Sequence, residues 1–151
     1  GSPQQFLPAL QPWMNKHFPA GEFVLPPLAN SDGSIYGLRK YFEFKVIQTI
    51  EIANFFPNRK LILFGDATQY DAEAYAEVYR QYPDNIQCIF IRLVEGFNFR
   101  KEKNKNDPYR FLKAFIHVPH YKWMVFRNTT ELPSPEDIKR GMCRDPDWFQ
   151  H

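Results

Sequence analysis

Apolar positions along the chain switch between a helical and an extended rhythm. Phe6, Leu7, Leu10, Trp13 and Met14 recur at helical spacing and predict a helix over residues 4–17, with Pro8 suited to its first turn. Glu22–Leu25 is a short strand candidate between prolines, and residues 29–39 read as a loop rich in Gly, Ser, Asn and Asp. Lys45–Phe56 has the length and the following Pro57 of a helix. Lys60–Phe64 (KLILF) and Ile86–Ile91 (IQCIFI) are continuous apolar runs, the pattern of strands buried on both faces. Between them a helical stretch runs from about Ala72 to Tyr82 and is stopped by Pro83. Strand, helix and strand joined this tightly form a βαβ unit, so the two strands should be parallel.

Downstream, residues 96–110 read as a polar, basic loop, and Ala114–Val118 and Trp123–Phe126 as two further strands. From Pro133 onward the sequence predicts a capped short helix and an irregular end. The expected organisation is therefore an α/β domain over residues 1–132, three-layered and mostly parallel, followed by a tail over 133–151.

Composition narrows the function classes. Nineteen basic and 17 acidic residues leave a formal charge of +2, too balanced to indicate nucleic-acid binding by charge alone. Hydrophobic residues at 44% exclude global disorder. No apolar run approaches the roughly 20 residues needed to cross a bilayer. Cys88 is expected as a buried strand residue and Cys143 as a thiol in the tail. His17, His117, His120 and His151 form no ligand pattern. A chain that opens on Gly1-Ser2-Pro3, not Met, is expected to be part of a longer protein or a processed form.

Candidate chemistry concentrates in Gly65-Asp66-Ala67-Thr68-Gln69-Tyr70-Asp71, just past an apolar strand. Ligands of open parallel sheets bind outside the carboxyl ends of strands. Gly65 permits a sharp turn and leaves space beside the carboxylate, and Asp66 and Asp71 on one short loop can converge on a hard cation such as Mg²⁺. Asp71 is equally placed to cap the helix at 72. Lys45, placed at the start of the preceding helix, can reach the same end of the sheet and offset a phosphate, or remain a solvated side chain.

Lys45, the helix ending in Phe56-Pro57, the run KLILFGDATQYDAEAY and the strand ending in Arg92 together resemble the catalytic domain of the actin-patch-type phosphatidate phosphatases, a branch of the haloacid-dehalogenase superfamily. The resemblance covers about residues 1–95. It implies a HAD-like Rossmannoid fold and Mg²⁺-dependent phosphomonoester hydrolysis through an aspartyl-phosphate. It gives Lys45 the catalytic and phosphate-binding lysine site, Asp66 and Asp71 the acidic metal site, and Ser2 a place beside the phosphate-binding serine. The superfamily's Asp-x-Asp-x-Thr nucleophile loop is absent from these 151 residues, and only Asp145-Pro146-Asp147 has the Asp-x-Asp spacing. The resemblance thus implies the C-terminal half of such a domain, lacking its first strand and inactive alone. Its expected partners are an N-terminal half and a phosphate-ester or phospholipid substrate, with no nucleic acid. Arg100–Lys105 suggests peripheral contact with an anionic membrane. The location implied is cytoplasmic or membrane-peripheral. The alternative is a non-catalytic module that keeps this shell and binds a protein partner or anionic lipid.

Overall fold

The structure, a computed structural model, describes residues 7–17, 20–22, 24–25, 35–96 and 103–144. The chain divides into two compact units, Gly1–Phe44 and Lys45–His151. The first contains α1 (Leu7–His17), which carries Pro12 in its interior and buries no residue. Of the strand expected at Glu22–Leu25, Phe23 lies outside the described residues, and Glu22, Val24 and Leu25 lie outside any strand. A four-residue run followed by two prolines, which lack amide donors, has little to offer a ladder.

A second helix, α2 (Ile35–Phe55), begins ten residues before the expected helix start at Lys45. The loop expected over 29–39 is therefore corrected for Ile35–Arg39, which are helical, while residues 29–34 lie outside the described set. The Gly, Ser, Asn and Asp that suggested a loop lie mostly before Ile35, and the one glycine inside the helix, Gly37, costs it only about 1 kcal/mol. Lys45 consequently lies near the middle of a helix and not in its first turn.

The second unit is α/β. It contains β1 (Leu61–Asp66), α3 (Asp71–Gln81), β2 (Ile86–Arg92), α4 (Pro108–Ala114), β3 (Trp123–Phe126) and α5 (Pro135–Lys139). The three strands form a parallel sheet in the order β1-β2-β3. The expected βαβ unit is present as β1-α3-β2, and α3 packs against both of its strands. Asp66 pairs in register with Arg92 and is the last residue of β1, not a residue beyond it.

Alternate positions sort the sheet into two faces. Cys88, Phe90, Met124 and Phe126 form a buried cluster with Cys143, and Leu132 and Ile138 pack on it. Ile138 belongs to α5, whose N-cap Ser134 accepts the Asp137 amide, as the capped-helix reading of this segment expected. Ile62 and Phe64 pair with Cys88 and Phe90, yet are 44% and 53% exposed. β1 is an edge strand, and its outer side has no strand partner among the described residues.

The loop expected over 96–110 is helical at residues 103–105 and again from Pro108, and two further expectations fail in this unit. Ala114–Val118 is not a strand. Asp107 accepts the Tyr109 amide, Pro108 occupies the first helical turn, and α4 runs on to Ala114 before a turn. Phe111, Phe115 and Val118 are the buried positions, a spacing of four and three that belongs to a helix and its exit. Nor is Cys143 a tail thiol: it is fully buried and disulfide-bonded to Cys88 across 55 positions. Two cysteines that distant in sequence carry no local signal of pairing. No helix among the described residues is long and apolar enough to cross a membrane.

Candidate active site

The carboxyl end of β1 and the start of α3 bring Lys45, Asp66 and Asp71 into one hydrogen-bonded system. Lys45 Nζ forms an ion pair with Asp71 Oδ1 and donates to Gln69 Oε1 at 2.8 Å. The backbone N–H of Asp66 donates to Asp71 Oδ2 at 2.9 Å. Both oxygens of Asp71, a buried residue, are thus held by donors of the protein. The capping role considered for Asp71 is not what it performs. The N-cap of α3 is Tyr70, without a side-chain cap bond, and Asp71 is the first helical residue.

Asp66 is held differently. Its Oδ1 accepts the Thr68 amide at 2.7 Å and the Thr68 hydroxyl. Its Oδ2 accepts no hydrogen bond among the described residues. One carboxylate oxygen is thereby fixed by a local turn, and the other stays open.

Gly65 is the residue that lets these two acids approach. A Cβ added there would lie 2.4 Å from Asp71 Cβ and 2.8 Å from its carboxyl carbon. Any larger residue would displace Asp71 or the strand end. Of the two roles expected of this glycine, a sharp turn and space beside a carboxylate, the second is the one this close approach demands.

Beneath the loop, Tyr75 OH donates to the Phe64 carbonyl at 2.8 Å. Burial raises the Tyr75 pKa well above the ordinary phenol value, and the nearby charges of Asp71 and Asp66 raise it further. Tyr75 is thus a neutral donor. From α4, Arg110 makes a bidentate pair with Glu73, at 2.7 and 2.8 Å. It also donates to the carbonyls of Ala67 and Gln69.

Of the residues singled out in the sequence, Lys45, Asp66 and Asp71 come together here, while Ser2 lies outside the described residues. Within the basic segment at Arg100–Lys105, residues 100–102 also lie outside them. Among the described residues no group of three or more His, Cys, Asp or Glu side chains gathers to hold a metal. Thr68, Gln69, Tyr75 and Arg110 were not foreseen as site residues. Gln69 lay within the motif that carried the resemblance. Arg110 stands 41 residues from Gln69 and had no signal.

Comparison with known proteins follows the same residues. The family model for the phosphatidate phosphatase APP1 catalytic domain matches residues 1–93. Phosphatidate phosphatase APP1 of Saccharomyces cerevisiae is 31% identical over 91 residues, covering 60% of this chain. This chain spans only 15% of that relative's length. No solved structure matches the chain. Lys45, Asp66, Gln69 and Asp71 all fall inside the matched span, and the match covers more than half of the chain. The chain belongs to the family of the phosphatidate phosphatase APP1 catalytic domain.

Proposed function

We propose that this chain carries the lysine-and-carboxylate side of a Mg²⁺-dependent phosphatidate phosphatase site of the HAD type. The observation that carries the reading is the placement of Lys45 between Asp71 and Gln69 at the carboxyl end of β1. An ammonium has three donors, and two are used here. The third can take a phosphate oxygen. Asp71 balances the lysine charge and fixes its direction, and Gln69 keeps the ammonium from collapsing wholly onto the carboxylate.

The donor set fits Mg²⁺. That ion takes one or two carboxylates and fills its remaining positions with water and phosphate oxygens. Asp66 Oδ2 is the open ligand position, whereas Asp71 could serve only by exchanging Lys45 or the Asp66 amide for the ion. When bound, Mg²⁺ would offset the charge of the transferring phosphoryl group. Thr68 orients Asp66 for that task, and Lys45 supplies a second positive charge.

The reaction also needs a carboxylate to attack phosphorus and an acid to protonate the departing ester oxygen. In the aspartyl-phosphate route these come from an Asp-x-Asp-x-Thr loop, which these 151 residues do not contain. We assign those roles to sequence outside them. The open edge of β1, with Ile62 and Phe64 exposed beside it, is the kind of surface a further strand and its cover would complete. The substrate class is a phosphomonoester lipid, met at a membrane surface from a cytoplasmic or peripheral position.

The test is Asp66→Asn in the full-length protein. Loss of the open carboxylate should lower Mg²⁺-dependent phosphate release by at least about 100-fold. Unchanged turnover at saturating Mg²⁺ would remove Asp66 from the site.

A further inference from the structure

We propose that Arg110 is the positioning residue for this site, holding the Asp66–Asp71 loop in shape from a segment beyond the family match, which ends at residue 93. The proposal rests on the functional reading above for what the loop does, but not for how it is held.

All five N–H groups of a guanidinium can be counted here. Nε and Nη2 grip Glu73 Oε1 and Oε2 at 2.7 and 2.8 Å. Nη2 also donates to Gln69 O at 2.6 Å, and Nη1 to Ala67 O at 2.7 Å and Lys105 O at 2.8 Å. The side chain is only 16% exposed. Ala67 and Gln69 flank Thr68, whose amide holds Asp66 Oδ1, and the Gln69 side chain accepts from Lys45. One residue thus fixes the backbone on both sides of the group that orients Asp66, and sets the origin of the side chain that steadies Lys45. Carbonyls of a tight loop need partners, and a planar fork that reaches two of them and a carboxylate has no lysine equivalent. Glu73 is itself placed by α3, so the loop, the first turn of α3 and α4 form one braced unit.

The experiment uses residues 1–151 with Arg110→Met, Arg110→Lys and Glu73→Gln, and Arg80→Met as a surface control. Amide hydrogen exchange is followed by NMR, and Mn²⁺, as a stand-in for Mg²⁺, is titrated by EPR. Arg110→Met should speed exchange of the Asp66 and Thr68 amides by about tenfold or more while β2 and β3 keep their protection. It should weaken Mn²⁺ binding by a similar factor. Arg110→Lys and Glu73→Gln should fall between, and Arg80→Met should change neither. Unchanged loop exchange in Arg110→Met, or an equal loss of protection throughout the sheet, would overturn the proposal. If the wild-type chain takes up no Mn²⁺, the metal reading fails, and the loop exchange still decides the role of Arg110.

Discussion

Lys45 of α2 and Asp71 of α3, 26 positions apart, form a direct ion pair in which lysine and aspartate side chains are 22% and 8% exposed. Their pairing leaves Asp66 as the carboxylate with an open oxygen. It also gives Lys45 a structural role. Lys45→Met should destabilise the fold by about 2 kcal/mol, because it strands a buried carboxylate beside a single remaining donor. Asp71→Asn should cost less, since an amide oxygen can still accept the Asp66 N–H. A double-mutant cycle by urea unfolding should return a coupling of about 1–3 kcal/mol. Additive losses would show that the pair contributes nothing as a pair.

Gly65 separates packing from backbone freedom. Gly65→Ala should destabilise by about 1–3 kcal/mol, because the new Cβ meets the Asp71 side chain at 2.4 Å in the closely packed strand end. The same substitution in an Asp71→Gly background should be far milder. Equal losses in both backgrounds would place the cost in the backbone instead.

The fold was legible where local pattern and tertiary need agree. KLILF and IQCIFI read as parallel strands because both are continuous apolar runs flanked by turn signals; IQCIFI gained one residue, and KLILF gained two at its end while Lys60 fell outside it. Burial on both faces holds for β2 but not for the edge strand β1, where Leu63 alone is buried. WMVF was equally plain. Ala114–Val118 misled because Phe115, Ile116 and Val118 have strand-forming side chains, while the decisive signal, Asp107-Pro108 as cap and first turn, stood several residues upstream. The site was half legible. Lys45, Asp66 and Asp71 announced themselves through the motif. Arg110 acts through carbonyls, which have no sequence signature, and Cys143 found its partner through the path of the tail.

The Cys88–Cys143 disulfide joins the C-terminal segment to the middle of β2. A closed loop of about 55 residues removes enough unfolded-state entropy to stabilise by roughly 4 kcal/mol. Cys143→Ser should therefore lower Tm by roughly 10 °C. The same loss should appear in wild-type protein unfolded under a strong reductant, and the variant should be insensitive to that reductant. A wild-type Tm indifferent to reduction would show that the bond contributes no stability.

Tyr75 predicts an alkaline effect with a definite sign. Its pKa is raised above the model-compound value of 10.0 in the folded state by burial, then by Asp71 and Asp66. The unfolded chain therefore loses this proton first, and unfolding releases it. Stability from this group is complete below about pH 10 and declines as pH rises above it. Tyr75→Phe should shallow that decline, while lowering stability at neutral pH by about 1 kcal/mol through loss of the bond to Phe64 O. Urea unfolding of both proteins between pH 8 and about 11 gives the comparison, with an unchanged slope as the adverse result.

On our proposal these residues hold phosphate and metal, and the nucleophile comes from sequence outside them. Its most direct test is phosphate release from phosphatidate, with Mg²⁺, by residues 1–151 alone and by the same residues joined to an upstream Asp-x-Asp-x-Thr segment of the family. Background release is expected from the first and turnover from the second, reduced at least about 100-fold by Asp66→Asn. Robust Mg²⁺-dependent turnover by the 151-residue chain alone, indifferent to Asp66→Asn, would contradict it.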